Sequence, residues 1–206
     1  MTPLQVFYGI YAYQEEIATI ICNLHSACRS DKGKRYMCIY AGSSYPVIDF
    51  DEVKNKADLF ESRESRKSVD ALALPPSESI LCFVELKSWE LVVKDKGTEN
   101  KVRKKAEKYA SDLPQKLTDS IEICRNILKD QNALDSCRIM YILVTDISVN
   151  DNGLEALNAD LSALAGISSN LNKLCNSLSR NIMDNIPNVE TRYWECREFD
   201  DKMSRL

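Results

Sequence analysis

The chain has 206 residues, of which 44% are hydrophobic and 28% charged, and its formal net charge is −4. This length suits one domain with a substantial core, so we predict a single domain over residues 1–206. No apolar run approaches the roughly 18–20 residues that cross a bilayer, and the amino terminus has no signal-peptide pattern, so we expect a cytoplasmic protein with no membrane partner. The negative charge argues against a protein that simply coats DNA.

The counts of histidine, glycine and cysteine exclude several classes of enzyme. The single histidine, His25, lies in no pattern that would complete a Ser-His-Asp triad or an HExxH zinc site, although a Cys-His nucleophile pair stays open. The six glycines form no phosphate-binding loop. The eight cysteines form no C-x-x-C pair and mostly lie in apolar runs. We therefore predict buried thiols rather than a disulfide framework or a zinc site.

The first third of the chain predicts helix, strand and a charged connection. Apolar residues from Val6 to Leu24 recur at steps of three and four, which indicates one amphipathic helix. A turn at 32–34 leads into a predicted strand over 35–41. The charged stretch 51–67 is typical of a loop or an inserted short helix.

Two strands in the middle of the chain carry the clearest β signal. Residues 68–74 and 80–87 are mostly apolar and flank a proline-led turn at 75–79, so they predict an antiparallel hairpin. A long helix is predicted over 99–129, with Pro114 expected to kink or divide it.

The last third predicts a buried strand over 138–144, then one or two helices over 154–165 and 170–183, then a closing strand over 190–199. The alternation of strands and helices indicates an α/β protein whose central mixed sheet is flanked by helices.

Two charged residues interrupt the apolar strand at 80–87. Glu85 and Lys87 are two residues apart, so their side chains leave the same face of the strand. Burying such charges is unfavourable unless they pair or bind a ligand. Asp70 lies on the partner strand, where the hairpin could bring its carboxylate close. A divalent cation such as Mg²⁺ or Mn²⁺ relieves the repulsion of two neighbouring carboxylates, and an adjacent lysine can orient an attacking water.

The segment Ser68-Val69-Asp70, followed after fourteen residues by Glu85-Leu86-Lys87, resembles the motif of the PD-(D/E)XK nuclease superfamily. The core of that family is a helix, a three-strand meander, a helix and a further strand, and the resemblance covers this order from about Tyr8 to Val144. It implies a restriction-endonuclease-like three-layer sandwich. The proline of the family pattern is replaced by Val69.

The resemblance also implies roles for individual residues. Asp70, Glu85 and Lys87 would be the catalytic residues, with the cation held by Asp70, Glu85 and the Leu86 carbonyl. Family members often have a further acidic ligand on the first helix, and Glu16, at the edge of the apolar stripe, is the best match, with Gln14 second. Auxiliary residues on the helix after the motif would be Gln115 and Lys116.

Two other interpretations of these residues stay open. A second E-x-K, Glu52-Val53-Lys54, follows Asp49 and Asp51 but lacks a long apolar strand, so we rank it second. Glu85 and Lys87 could also form a structural ion pair at the rim of the sheet.

The segment from Lys94 to Lys116 has eight basic and four acidic residues, a local balance of +4. A solvated helix face is the simpler explanation, but its place directly after the motif favours contact with a nucleic-acid backbone. The predicted nucleic-acid-binding residues are Lys94, Lys96, Lys101, Arg103, Lys104, Lys105 and Lys108.

These observations predict a Mg²⁺- or Mn²⁺-dependent endonuclease that hydrolyses phosphodiester bonds in DNA. Since no separate recognition module is visible, we expect a homodimer or a partner of the ATPase or helicase type. The resemblance suggests prokaryotic restriction or antiviral defence. The alternatives are an inactive nuclease-fold subunit that binds nucleic acid or scaffolds a complex, and an RNA-directed nuclease, for which no pattern of exposed aromatic residues is evident.

Overall fold

The structure is a computed structural model that describes residues 1–15, 22–27, 43–61, 66–89, 91–92, 98–146, 186 and 189–206. Its helices are α1 (Pro3–Glu15), α2 (Leu24–Ala27), α3 (Phe50–Glu61), α4 (Glu99–Leu128) and α5 (Phe199–Met203), with a 3₁₀ turn at Cys196–Glu198. Its strands are β1 (Cys22–Asn23), β2 (Pro46–Asp49), β3 (Ala71–Ala73), β4 (Leu81–Lys87), β5 (Ile139–Thr145) and β6 (Glu190–Glu195).

Within the described ranges, five strands from β2 to β6 form a mixed sheet in which strand order follows chain order. β2, β3 and β4 are antiparallel neighbours, whereas β4, β5 and β6 are parallel. The two-residue β1 pairs with β2 at the sheet edge. Parallel neighbours cannot be joined by a tight turn, and α4 lies in the connection from β4 to β5. The predicted antiparallel hairpin and mixed sheet are confirmed.

The alternation of side chains along β4 separates two cores. Leu81 and Phe83 belong to a cluster that includes residues of α1, α3 and α4. Cys82, Val84 and Leu86 belong to a second cluster with residues of α2, the 3₁₀ turn and α5. Because successive residues of a strand face opposite sides, the clusters lie on opposite faces of the sheet. The protein is therefore α/β, with helices against both faces of a mixed sheet.

Helix α4 follows the prediction closely. Its buried residues recur at helical spacing and form one stripe toward the sheet, namely Val102, Ala106, Tyr109, Leu113, Leu117 and Ser120. Pro114 is exposed and lies inside the continuous helix, so it does not divide the element. The helix ends at Lys129, whose φ of 53° places it in the left-handed conformation common at helix ends.

Two predicted elements end earlier than expected. The first helix ends at Glu15, and Leu24 begins α2 directly after β1, so one helix from Val6 to Leu24 is wrong. The pairing of β1 with β2 accounts for the difference, because a strand in this position needs extended backbone. The closing strand ends at Glu195 rather than residue 199. Phe199 and Met203 are one helical turn apart and both are buried in the second cluster, which favours helix there.

The region around β3 also differs in detail. The four-residue strand β2 was not predicted. The charged stretch after it, for which both a loop and a short helix were predicted, forms the helix α3. β3 covers only Ala71–Ala73 of the predicted strand at 68–74. The N–H of Val69 donates to the Ser120 hydroxyl at 3.0 Å instead of to a strand. The strand predicted at 35–41 and the helices predicted at 154–165 and 170–183 lie outside the described residues.

The cysteines follow the prediction only in part. Cys82, Cys124 and Cys137 are free, and the first two are buried, as expected of packed thiols. Cys196 is disulfide-bonded, so the prediction of a thiol is wrong at this position. None of the helices in the described ranges has both the length and the apolar character to cross a bilayer.

Candidate functional site

The hairpin of β3 and β4 places the predicted motif residues on one face of the sheet. Ala71 pairs with Val84, so Asp70 directly precedes the paired part of β3 and Glu85 directly follows the partner residue on β4. The N–H of Asp70 donates at 3.1 Å to the carbonyl of Val84, the residue that pairs with Ala71, so the regular register ends at Asp70. Glu85 and Lys87 leave β4 on the side of Phe83, which faces α4.

Asp70 is held against the backbone of β4. Its side chain is buried, and its Oδ2 accepts a hydrogen bond from the Leu86 N–H at 2.6 Å. Burial raises the pKa of Asp70 well above its usual value, and the neighbouring Glu85 raises it further, although Lys116 and the Leu86 N–H act in the opposite direction. The carboxyl therefore resists ionisation without a nearby positive charge.

Glu85 is the most buried acidic side chain of the motif, with 2% of its surface exposed. Its Oε1 accepts hydrogen bonds from Lys116 Nζ at 2.6 Å and from the Tyr109 hydroxyl at 3.1 Å. Its Oε2 is buried and has no hydrogen-bond partner in the structure. Burial raises the pKa of Glu85 despite the favourable effect of Lys116. One oxygen of this carboxylate is thus satisfied and the other is available to a ligand.

Lys87 points its ammonium at aromatic rings. Its Nζ lies 4.5 Å from the ring centroid of Tyr109 and 5.9 Å from that of Trp89. Burial lowers the pKa of Lys87, and the positive charge of Lys105 lowers it further, while Glu85 opposes both. Within the described residues, the ion pair of Glu85 is made by Lys116 and not by Lys87. The alternative prediction of a structural ion pair between Glu85 and Lys87 is therefore wrong for the described residues.

Of the predicted auxiliary residues, Lys116 is brought to the site and Gln115 is not. Opposing effects set the pKa of Lys116: burial lowers it, but the carboxylates of Glu85 and Asp70 outweigh burial and raise it above its usual value. Gln115 is exposed and donates its amide to Asp119 at 2.5 Å. One residue of helix turns the side chain by about 100°, which moves Gln115 off the face that Lys116 shares with Tyr109.

The other motif-related predictions have mixed outcomes. Leu86 donates its N–H to Asp70, and its side chain is in the core on the opposite face. Glu16 lies outside the described residues, as does the side chain of Gln14. The second E-x-K lies on α3, where positions i and i+2 are on opposite sides, and Lys54 lies 3.9 Å from Asp58. That tripeptide cannot gather both charges at one centre.

Three further residues border the site and were not predicted. Tyr109 lies seven residues before Lys116, two helical turns away, so the inward stripe of α4 could have identified it. Tyr141 lies in the apolar strand β5, where a tyrosine is an ordinary packing residue, so no signal in the sequence could have identified it. Asp51 accepts a hydrogen bond from the Ser68 hydroxyl at 2.5 Å, and its charge contributes to the raised pKa of Asp70.

Five of the basic residues predicted to bind nucleic acid are described by the structure, and all five lie on α4. Each is exposed on that helix: Lys101, Arg103, Lys104, Lys105 and Lys108. Lys94 and Lys96 lie outside the described residues. Lys105 is close enough to Lys87 to lower its pKa, so this basic face borders the motif.

The donor set suits a hard divalent cation. Two carboxylates side by side, one with an unpartnered buried oxygen, are the ligands that Mg²⁺ and Mn²⁺ prefer. No group of three or more His, Cys, Asp and Glu residues arranged to hold a metal occurs among the residues described. Within the described residues, Asp70 and Glu85 are thus a pair of candidate ligands and not part of a cluster of three.

Comparison with known proteins does not assign the chain to a family. No protein-family model matches it, and no curated protein or solved structure is similar to it.

Proposed function

We propose that the protein is a metal-dependent endonuclease that hydrolyses phosphodiester bonds in DNA. The observation that carries this proposal is the pair of neighbouring buried carboxylates, Asp70 and Glu85, at the end of the β3–β4 hairpin, with Lys87 on the same face of β4 as Glu85. Such a pair is unfavourable by itself and is resolved by a bound cation.

The order of elements supports a restriction-endonuclease-like fold. Helix α1, the antiparallel meander β2–β4, helix α4 and strand β5 follow the order of the PD-(D/E)XK core, with Asp70 before β3 and Glu85 and Lys87 on β4. Helices against both faces of the sheet agree with a three-layer sandwich.

Each residue of the site has a role in this mechanism. Asp70 and Glu85, with the Leu86 carbonyl and Glu16 as further candidate ligands, would hold Mg²⁺ or Mn²⁺, which when bound supplies a more acidic water and neutralises phosphate charge. Lys87 orients the attacking water. Its lowered pKa increases the fraction of neutral amine that can accept a proton.

Lys116 and Tyr109 fix the orientation of the Glu85 side chain. Both donate to Oε1, so the carboxylate cannot rotate freely and Oε2 is held in one position. A carboxylate held in this way loses less side-chain entropy when it binds a ligand.

The exposed basic face of α4 would follow the phosphate backbone. The net charge of −4 and the small number of recognition elements favour a homodimer or an ATPase- or helicase-type partner that presents the substrate. We place the activity in the cytoplasm, in restriction or antiviral defence. The disulfide of Cys196 is unusual for that compartment.

The first test is cleavage of supercoiled and linear plasmid DNA in Mg²⁺, Mn²⁺ or EDTA. Wild type is expected to cut only with a metal, and Lys87→Ala is expected to reduce the rate by about 100-fold or more, because general base catalysis contributes on this scale. Arg205→Ala, which removes an exposed positive charge near the end of the chain, is the matched control. Undiminished cleavage by Lys87→Ala would refute the assignment of the lysine.

A non-catalytic nuclease-fold subunit is the second candidate. The observation that favours it is the ion pair between Lys116 and Glu85, which already compensates one carboxylate without a metal. This candidate predicts metal-independent binding of DNA with no cleavage by wild type or Lys87→Ala, read out by gel shift in EDTA.

A further inference from the structure

The hydroxyl of Tyr141 is a buried polar group with no role in the described packing. Tyr141 lies in the middle of β5 with 0% of its surface exposed, and its hydroxyl has no hydrogen-bond partner among the residues that the structure describes. A phenylalanine would fill the same space without burying a hydroxyl, so the oxygen is unexplained by packing.

This hydroxyl is on the side of the sheet that contains the motif. Tyr141 pairs with Phe83, and Glu85 pairs with Leu143, so Tyr141 and Glu85 project from adjacent strands on the face toward α4. The charges of Glu85 and Asp70 add to burial in raising the pKa of the Tyr141 hydroxyl, which agrees with a position near both carboxylates.

A second unsatisfied atom lies in the same region. The Oε2 of Glu85 is buried and unpartnered, while its Oε1 is occupied by Lys116 and Tyr109. An unsatisfied donor and an unsatisfied acceptor thus project from adjacent strands on one face of the sheet, and a ligand that contacted both would satisfy both.

We propose that Tyr141 is a ligand-binding residue whose hydroxyl donates a hydrogen bond to an oxygen atom bound beside Glu85 Oε2. This inference rests on the proposed function, since the oxygen belongs either to a water of the cation held by Asp70 and Glu85 or to a phosphate group bound by that cation. In both cases the shared chemistry is an oxygen atom with a lone pair in a buried site, to which a phenol can donate a hydrogen bond.

The test compares Tyr141→Phe, which removes only the hydroxyl, with wild type. Calorimetric titration with Mn²⁺ in the absence of DNA is expected to show binding about tenfold weaker in the variant if the oxygen is a metal-bound water. If Mn²⁺ binding is equal but inorganic phosphate added with Mg²⁺ stabilises only wild type against thermal unfolding, the oxygen is that of a phosphate. Either result supports the proposal.

The metal-free stability of the variant separates ligand binding from a structural role. Tyr141→Phe is expected to unfold in urea at the same or a higher midpoint than wild type in EDTA, because the hydroxyl has no partner to lose. Tyr109→Phe, whose hydroxyl donates to Glu85, is the matched control and is expected to unfold at a lower midpoint. A lowered midpoint for Tyr141→Phe would overturn the proposal.

Failure of this inference differs from failure of the proposed function. Wild type that binds Mn²⁺, together with a Tyr141→Phe variant that matches it in both titrations, would overturn the role of Tyr141 alone. Absence of Mn²⁺ binding by wild type would overturn the cation site and this role together.

Discussion

Asp70 and Glu85 lie where ionised carboxylates are least stable, because each is buried and each is beside the other. The protein compensates this arrangement unequally. Glu85 accepts hydrogen bonds from a lysine and a phenol on one oxygen, whereas the Asp70 carboxylate accepts one from a backbone N–H at 2.6 Å. An uncompensated buried carboxylate lowers the free energy of unfolding at neutral pH, which is a common feature of sites that bind cations.

The substitution Asp70→Asn is therefore expected to stabilise the metal-free protein at neutral pH. The pKa of Asp70 is higher in the folded protein than in the unfolded chain, so the folded protein binds more protons. The contribution of this proton to the free energy of unfolding is complete below the unfolded pKa and is lost as the pH rises through the folded pKa. Asparagine keeps an oxygen acceptor for the Leu86 N–H. We expect a gain of about 1–2 kcal/mol at pH 8 that shrinks as the pH falls toward 4.

Urea denaturation of both proteins in EDTA at several pH values measures this difference. Asp135→Asn is the control, because the Asp135 side chain is 55% exposed and should give no comparable trend with pH. A lower stability of Asp70→Asn at pH 8 would show that the Asp70 carboxylate stabilises the fold and would argue against a site strained for cation binding.

At the scale of the element, α4 joins the core, the site and the surface. Tyr109 and Lys116 face the motif, and Leu113 and Leu117 are buried in the core. Most of the exposed positions before residue 109 are lysine or arginine. This division follows from the helical period, which separates neighbouring residues by about 100°. The same helix can thus hold Glu85 and contact a phosphate backbone.

Charge reversal on this exposed face is expected to weaken binding of DNA. Lys104→Glu should lower affinity for several unrelated duplex sequences by a similar factor and reduce the slope of log K against log salt by about 1, since one phosphate contact is lost. Fluorescence anisotropy at several salt concentrations in EDTA provides the measurement. Arg205→Glu carries the same charge change away from α4, and an equal effect in this control would attribute the loss to net charge rather than to the helix face.

Across the whole molecule, local patterns were predicted well and contacts between distant segments were not. The hairpin of β3 and β4 and the length of α4 follow from apolar runs and turn residues, which act over a few positions. The pairing of Lys116 with Glu85 joins residues that are 31 positions apart in the sequence. Gln115 and Lys116 are adjacent on the helix, so either could have been the residue that faces the site until the rotation of α4 about its axis was known.

The edges of the sheet were harder to predict for a related reason. β2 is four residues long and β1 two, which is too short for an alternating pattern to be recognised in the sequence, and both depend on partners elsewhere in the chain. Phe199 and Met203 fit either a strand or a helix until the second core is seen to require both on one side. The unpartnered hydroxyl of Tyr141 has no sequence signature of its function, because an apolar strand buries tyrosine for many reasons.

The strongest whole-molecule consequence of the site is a coupling between cation binding and folding. A cation that binds only the folded protein raises its stability by about 2.7 kcal/mol at 100 times the dissociation constant. For a chain of 206 residues, this corresponds to a rise in Tm of about 5–10 °C with Mg²⁺ or Mn²⁺, reversed by EDTA. Glu85→Gln, compared with its own metal-free Tm, is expected to lose most of the shift.

Glu107→Gln, on the exposed side of α4, is the control and should keep the shift, so a general effect of ionic strength can be separated from binding at the site. A shift that is equal in wild type and Glu85→Gln would mean that the cation binds elsewhere. In that case the hydrogen bonds of Glu85 with Lys116 and Tyr109 would have a structural role. The buried carboxylate would then fix how α4 packs on β4 and would not take part in catalysis.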